Sequence, residues 1–153
     1  LPWTEVFQTT DRAVVERYCI ENDIRFEWRG NDHLRTEQVN QATAVHPQTG
    51  EKVWFNQAHL FHVSSLRDEV RESLLAVCGE EDLPRNAYYG DGSPLEEDVL
   101  REIRKIYEQE TFSFAWRKND LLLLDNMLFT HGRQPFAGDR KVLVGMARCH
   151  GRN

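Results

Sequence analysis

The last third of the chain constrains its fold most. There, helical spacing gives way to alternation. Phe112, Phe114 and Trp116 alternate with smaller residues, Arg117 to Asp120 has turn composition, and Leu121 to Leu124 is an unbroken apolar run. A further extended segment runs from about Arg140 to Ala147. Period-two alternation gives a strand one buried face, and a short apolar run between turn residues reads as a strand buried on both faces. Earlier segments carry the same signal. Ile24, Phe26 and Trp28 alternate with charged residues, Arg29-Gly30-Asn31-Asp32 is a turn, and an extended stretch follows from Leu34. Ala42 to His46 and Glu51 to Asn56 flank Pro47-Gln48-Thr49-Gly50, the composition of a hairpin.

Three helices are expected among these strands. Thr10 is placed to cap the first, from about Asp11 to Glu21, with Val14, Val15, Tyr18 and Cys19 on one side. Ser64 or Ser65 opens the second, with Leu66, Val70, Leu74 and Val77 at helical spacing and Gly79 as its stop. Ser93-Pro94-Leu95-Glu96 has the form of a capping box and begins the third, which carries Val99, Leu100, Ile103, Ile106 and Tyr107. Short strands with helices between them predict a mainly β fold, an antiparallel sandwich or jelly roll with a helical insertion. Trp54, Phe55, Phe61, Phe112, Phe114 and Trp116 are expected in the sheet core. Glu80, Glu81 and Asp82 read as a solvated loop.

The 153 residues suit one domain. A net charge of -6 argues against a general nucleic-acid binder or an anionic membrane partner, since no surplus of positive charge is available. Cys19, Cys78 and Cys149 form no CxxC pair, which fits reduced thiols and a cytoplasmic protein. No apolar run approaches the ~20 residues that span a bilayer. Leu1-Pro2-Trp3 is neither an initiator Met nor a signal sequence, so the chain is expected to start within a longer one.

His131 follows the Leu121 to Leu124 run and precedes Gly132, Arg133, Pro135 and Gly138. An imidazole at a strand end can face a cavity and ligate iron. Nine residues on, the fork of Arg140 suits a carboxylate. A metal ligand beside a carboxylate anchor is what a metal-chelating 2-oxo acid demands. The spacing alone favours the plainer reading, a surface His131 and an Arg140 paired with a nearby acid.

Asp125-Asn126-Met127-Leu128, Thr130-His131-Gly132-Arg133, Pro135-Phe136 and Asp139 to Val144 together resemble the C-terminal motif of the taurine dioxygenase (TauD/TfdA) superfamily, nearest its SyrP-like and clavaminate synthase-like members. His46 to Asn56 resembles that family's hairpin, and Tyr88 to Pro94 resembles a loop of the SyrP-like branch. The resemblance implies a double-stranded β-helix, or jelly roll. It also implies Fe(II) held by a His, a carboxylate two residues later and a distal His, with 2-oxoglutarate bound by a downstream Arg. His131 matches the distal iron ligand and Arg140 the 2-oxoglutarate arginine. Asp125 and Asn126 fall where a second layer would orient that His. Asn56 matches the family's asparagine, and His59 falls where relatives line the substrate pocket.

No His here has Asp or Glu two residues later: His33, His46, His59, His62, His131 and His150 all lack one. Residues 1–153 are therefore expected to be the C-terminal portion of one dioxygenase domain about twice this length. The resemblance implies an amino acid, free or carrier-bound, as substrate, in peptide natural-product biosynthesis. The chain alone is expected to be inactive. Its expected partner is either the missing N-terminal half or a second copy of itself, because a split jelly roll leaves strand edges and core exposed. The alternative is a non-catalytic module that binds a 2-oxo acid or a partner chain. His59-x-x-His62 is a weak zinc signal without further ligands and reads better as pocket lining or core histidines, and a cupin-like zinc hydrolase has only scattered His behind it. Arg148 reads as either a second anion contact or plain surface.

Overall fold

A computed structural model of the chain describes residues 2–30, 32–80 and 82–147. Asn31 of the first turn, Glu81 of the acidic loop, Arg148 and Cys149 lie outside them. After a short helix α1 (Trp3–Val6), α2 (Arg12–Glu21) begins at an Asp11 cap, whose side chain accepts from the Ala13 N–H at 2.9 Å. The expected cap, Thr10, lies one residue too early, since a capping oxygen must reach the second or third N–H of the helix. Val15 and Cys19 are fully buried one turn apart, whereas Val14 and Tyr18 stay largely exposed. Helix α2 packs on β1 (Arg25–Arg29), which pairs antiparallel with β2 (His33–Glu37) in the register Phe26↔Thr36 and Trp28↔Leu34. Trp28 also donates to Glu16 at 2.8 Å and meets Trp3 edge to face, with centroids 5.1 Å apart.

The second hairpin joins β3 (Thr43–Val45) and β4 (Lys52–Trp54) with Ala44 opposite Val53. Its turn lies between His46 and Glu51, where the His46 N–H donates to the Glu51 carbonyl at 2.8 Å. Gly50, at φ +73, supplies the left-handed residue that such a turn favours.

Three helices follow: α3 (Ala58–Phe61), α4 (Asp68–Cys78) and α5 (Glu97–Glu110), with a 3-10 turn at Val63–Ser65. Helix α4 starts later than expected because the serines have other partners. Ser64 Oγ takes a hydrogen bond from Arg104, and Ser65 Oγ donates to the Leu60 carbonyl. Leu66 therefore precedes the helix in extended backbone, and Val77 faces solvent, while Gly79 ends the helix as anticipated. The expected capping box is absent for a similar reason. Ser93 donates through N and Oγ to Asp91, and the Glu96 carboxylate accepts from Tyr89 at 2.5 Å. Neither side chain caps the helix, and α5 starts at Glu97. Leu100 is buried on α5, which packs against α3, and Ile103 and Tyr107 are half-buried.

Beyond Glu110 the described residues turn but pair no strand. The strands expected at Phe112 to Trp116, Leu121 to Leu124 and Arg140 to Ala147 are not formed. Leu121 and Leu123, expected to be buried, are 94% and 92% exposed. A strand persists only when a neighbour takes its backbone hydrogen bonds and one of its faces is covered. Both hairpins here are two-stranded and offer these segments no pairing. The expected sheet core of aromatics is likewise open. Phe112, Phe114 and Trp116 stack on one another, and Trp54 and Phe61 stay exposed. The described residues thus hold more helix than strand and do not close a jelly roll. No helix among them is long and apolar enough to cross a membrane.

Candidate functional site

The β3–β4 hairpin forms one wall of a cleft of about 530 Å³. Strand β4 ends at Trp54 and runs through Phe55, Asn56 and Gln57 into α3, all four lining the cleft. Asn56 fixes this corner. Its Oδ1 accepts from the Ala58 N–H at 2.7 Å and its Nδ2 donates to the Gln41 carbonyl at 3.0 Å, tying the exit of β4 to the entry of β3. Asn40 and Gln41 add to the same wall, and Phe61 and Tyr107 come from α3 and α5.

The facing wall is the segment that carries the sequence motif: Asn126, Thr130 and His131. Asp125 builds the turn beneath them. Its Oδ1 accepts from the Met127 N–H at 3.0 Å, and its carbonyl accepts from Leu128 and Phe129 at 3.1 and 2.9 Å. Asn126 Oδ1 lies 3.1 Å from His131 Nδ1. An amide oxygen only accepts, so where Nδ1–H donates to it the Nε2 lone pair is left for a ligand.

Three anticipated residues, His131, Asn126 and Asn56, therefore meet at one cleft, and Asp125 stands directly behind it. Arg140 does not line it, and its guanidinium sits over the Phe136 ring at 4.9 Å. His59 lies one layer back, its ring stacked on Tyr107 at 4.3 Å. It is 3% exposed, and its Nδ1 has no hydrogen-bond partner among the described residues. Burial, and then the Arg104 guanidinium, lower the pKa of both His59 and His62. Arg104 locks this region by donating through Nε and Nη2 to the His59 carbonyl at 3.0 and 2.9 Å. His62 Nδ1 is occupied by Ser64, whereas His59 is held by packing against Tyr107.

His46 is the residue that sequence reasoning missed. It is 3% exposed and contacts Asp125 Oδ2 at 2.9 Å, across 79 positions of chain. That bond, and then the Met127 N–H, hold the Asp125 carboxyl below its ordinary range. The only local sign was its place before Pro47-Gln48-Thr49, where Thr49 N–H donates back to His46 Nδ1 at 3.1 Å.

The donor set is too small for iron. His131 is the one His, Cys, Asp or Glu side chain lining the cleft, and no group of three or more of these that could hold a metal occurs among the described residues. These residues can offer one imidazole nitrogen between aromatic and carboxamide walls.

The profile of the family described as taurine catabolism dioxygenase TauD, TfdA matches residues 4–147. The dapdiamide synthesis protein DdaC of Enterobacter agglomerans is 44% identical over 146 residues, covering 95% of this chain and 44% of that protein. A clavaminate synthase-like protein of Arabidopsis thaliana is 28% identical over 151 residues, covering 95% of this chain and 41% of that protein. The chain thus spans less than half the length of these relatives. With a family match running through both walls of the cleft, this chain belongs to the TauD/TfdA family of dioxygenases.

Proposed function

We propose that this chain is the C-terminal portion of an Fe(II)- and 2-oxoglutarate-dependent oxygenase. Its substrate would be an amino acid or a carrier-bound aminoacyl group in peptide natural-product biosynthesis, in the cytoplasm. The observation that carries this reading is the meeting of His131, Asn126 and Asn56 at one cleft, although Asn56 and Asn126 are separated by 70 positions. Family membership supports the oxygenase class, and the relative named for dapdiamide synthesis supports the biosynthetic setting.

In this reading His131 is one iron ligand, through Nε2, and Arg140 holds the distal carboxylate of 2-oxoglutarate after moving from its stack on Phe136. Asn126 orients His131, and Asn56 keeps the cleft wall in place. The lining carries no Asp, Glu, Lys or Arg, a surface suited to a neutral, amide-bearing group. The remaining ligands come from a partner polypeptide that carries His-x-Asp or His-x-Glu. The same partner, or a second copy of the chain, covers the apolar side chains exposed between Phe112 and Met146.

A second reading is a non-catalytic module that binds a 2-oxo acid or a partner chain. It is favoured by the absence of His-x-Asp/Glu in the sequence and of any three-ligand group among the described residues. Succinate production from 2-oxoglutarate, assayed with iron and oxygen, separates the two. The oxygenase reading expects none from the chain alone and turnover once the His-x-Asp/Glu polypeptide is added. Turnover by the chain alone would refute the assigned ligand set, and no turnover in either case would leave the binding module as the better account.

A further inference from the structure

His46 and His131 are joined through the Asp125 turn, by one hydrogen bond between His46 and Asp125 and one between Asn126 and His131, with the backbone between Asp125 and Asn126 as the link. The Thr49 N–H donates to His46 Nδ1 at 3.1 Å, which makes Nδ1 the acceptor and leaves the ring proton on Nε2. That Nε2–H donates to Asp125 Oδ2 at 2.9 Å. The other oxygen and the carbonyl of Asp125 hold the N–H groups of Met127, Leu128 and Phe129, so the carboxylate fixes the turn. Asn126, the next residue, then presents Oδ1 to His131 Nδ1 at 3.1 Å.

We propose that His46 is a positioning residue: through Asp125 it sets the turn that presents Asn126 to His131, and so selects the His131 tautomer with a free Nε2 lone pair. Burial supports this role. His46 is 3% exposed, so its Nε2–H has no water to replace a lost carboxylate, whereas the Asp125 side chain is 43% exposed. The link therefore constrains the exposed turn from a buried anchor. It also joins the hairpin to the motif segment, the two walls of the cleft. An imidazole that ligates a metal needs its other nitrogen held by a fixed acceptor, and the residue that aims the acceptor acts one layer further out.

The consequence for metal binding rests on reading His131 as a ligand, but the linkage is testable without metal. The experiment is two-bond 1H–15N correlation NMR of the imidazoles in the metal-free full chain labelled with 15N-histidine, with the His131 signal assigned from His131→Gln. In the wild type, His131 reports protonation at Nδ1. Asp125→Asn leaves one amide oxygen for two donors, the His46 Nε2–H and the Met127 N–H, so either the link or the turn it holds is lost. The substitution is expected to lower the Nδ1-protonated fraction of His131 at least about two-fold. His46→Phe gives the same change, and His46→Gln, which can still donate to Asp125, restores the wild-type signal in large part. An unchanged His131 signal in a folded Asp125→Asn chain overturns the proposal, as does a shift in His46→Gln equal to that in His46→Phe. Should the tautomer respond while His131 never contacts added Co(II), the positioning role stands and the ligand reading falls.

Discussion

Residues 12–110 and residues 111–147 are both rich in apolar side chains, and they dispose of them differently. In the first region the elements find partners within it, α2 and the hairpin strands close by in sequence and α5 across 45 positions, from Arg104 to His59. Helix α2 lies on β1, β1 pairs with β2, β3 with β4, and α5 rests on α3. Val15, Cys19 and Leu100 are buried as a result. In the second region the only regular contacts are turns, such as Arg117 to Asp120, closed by an Arg117 N–H to Asp120 bond at 2.7 Å. Leu121, Leu123, Leu143 and Met146 all stay more than 80% exposed. Helices satisfy their backbone internally and hairpins satisfy half of theirs, but strands of a larger sheet depend on neighbours far away in sequence. The segment that carries His131 and Arg140 sits in the dependent region, at the edge of the self-supported one.

The largest effect that sharpens this contrast is expected at Leu100. Leu100→Ala removes a buried side chain and should destabilise the chain by about 2–5 kcal/mol in urea unfolding. Leu123→Ala, made in the same chain, should change stability by less than about 0.5 kcal/mol. Equal losses at both positions would break the comparison, by showing that the second region is packed. Arg104 comes next. Arg104→Met leaves the His59 carbonyl and Ser64 Oγ without their charged donor, an expected loss of about 1.5–3 kcal/mol by the same measurement. Because that side chain serves only the self-supported region, a much smaller loss would mean that α3 and α5 are held otherwise.

The smallest effect is on pH dependence. His59 and His62 titrate below the ordinary imidazole value of 6.5 in the folded chain, chiefly through burial. The unfolded chain thus takes up protons that the folded chain refuses, and stability falls as pH drops below about 6.5. Asp125, lowered by its His46 bond, adds a loss of the same sign further down, below the ordinary carboxylate value of 3.8. Thermal midpoints measured from about pH 7.5 to 5.5 should decline, and His59→Phe, which retains a ring against Tyr107, should flatten the decline. A midpoint that rises on acidification would reverse the assigned shifts.

Much of the self-supported region was legible in the sequence because its signals are local. The Pro47-Gln48-Thr49-Gly50 turn and the alternation of Phe26 and Trp28 each specify a hairpin within about a dozen residues. The helix starts were read less well. Ser64, Ser93 and Glu96 are good capping residues by type, but Arg104, Asp91 and Tyr89 engage them first. The strands expected after Glu110 had the right periodicity and no partner, a condition that no local pattern reveals. At the site, His131, Asn126 and Asn56 were picked out by resemblance to the family rather than by spacing, and the structure places all three at one cleft. His46 was not picked out, because its role depends on Asp125, 79 positions away.

Under the proposed function, His131 is one ligand of an iron site whose other ligands lie on a second polypeptide. Anaerobic titration of the chain with Fe(II) and 2-oxoglutarate, followed by calorimetry, tests it directly. The account predicts no stoichiometric tight binding by the chain alone. Binding should appear when a polypeptide bearing His-x-Asp or His-x-Glu is added, and should be lost again in His131→Ala. Tight, stoichiometric binding by the chain alone that survives His131→Ala would contradict it.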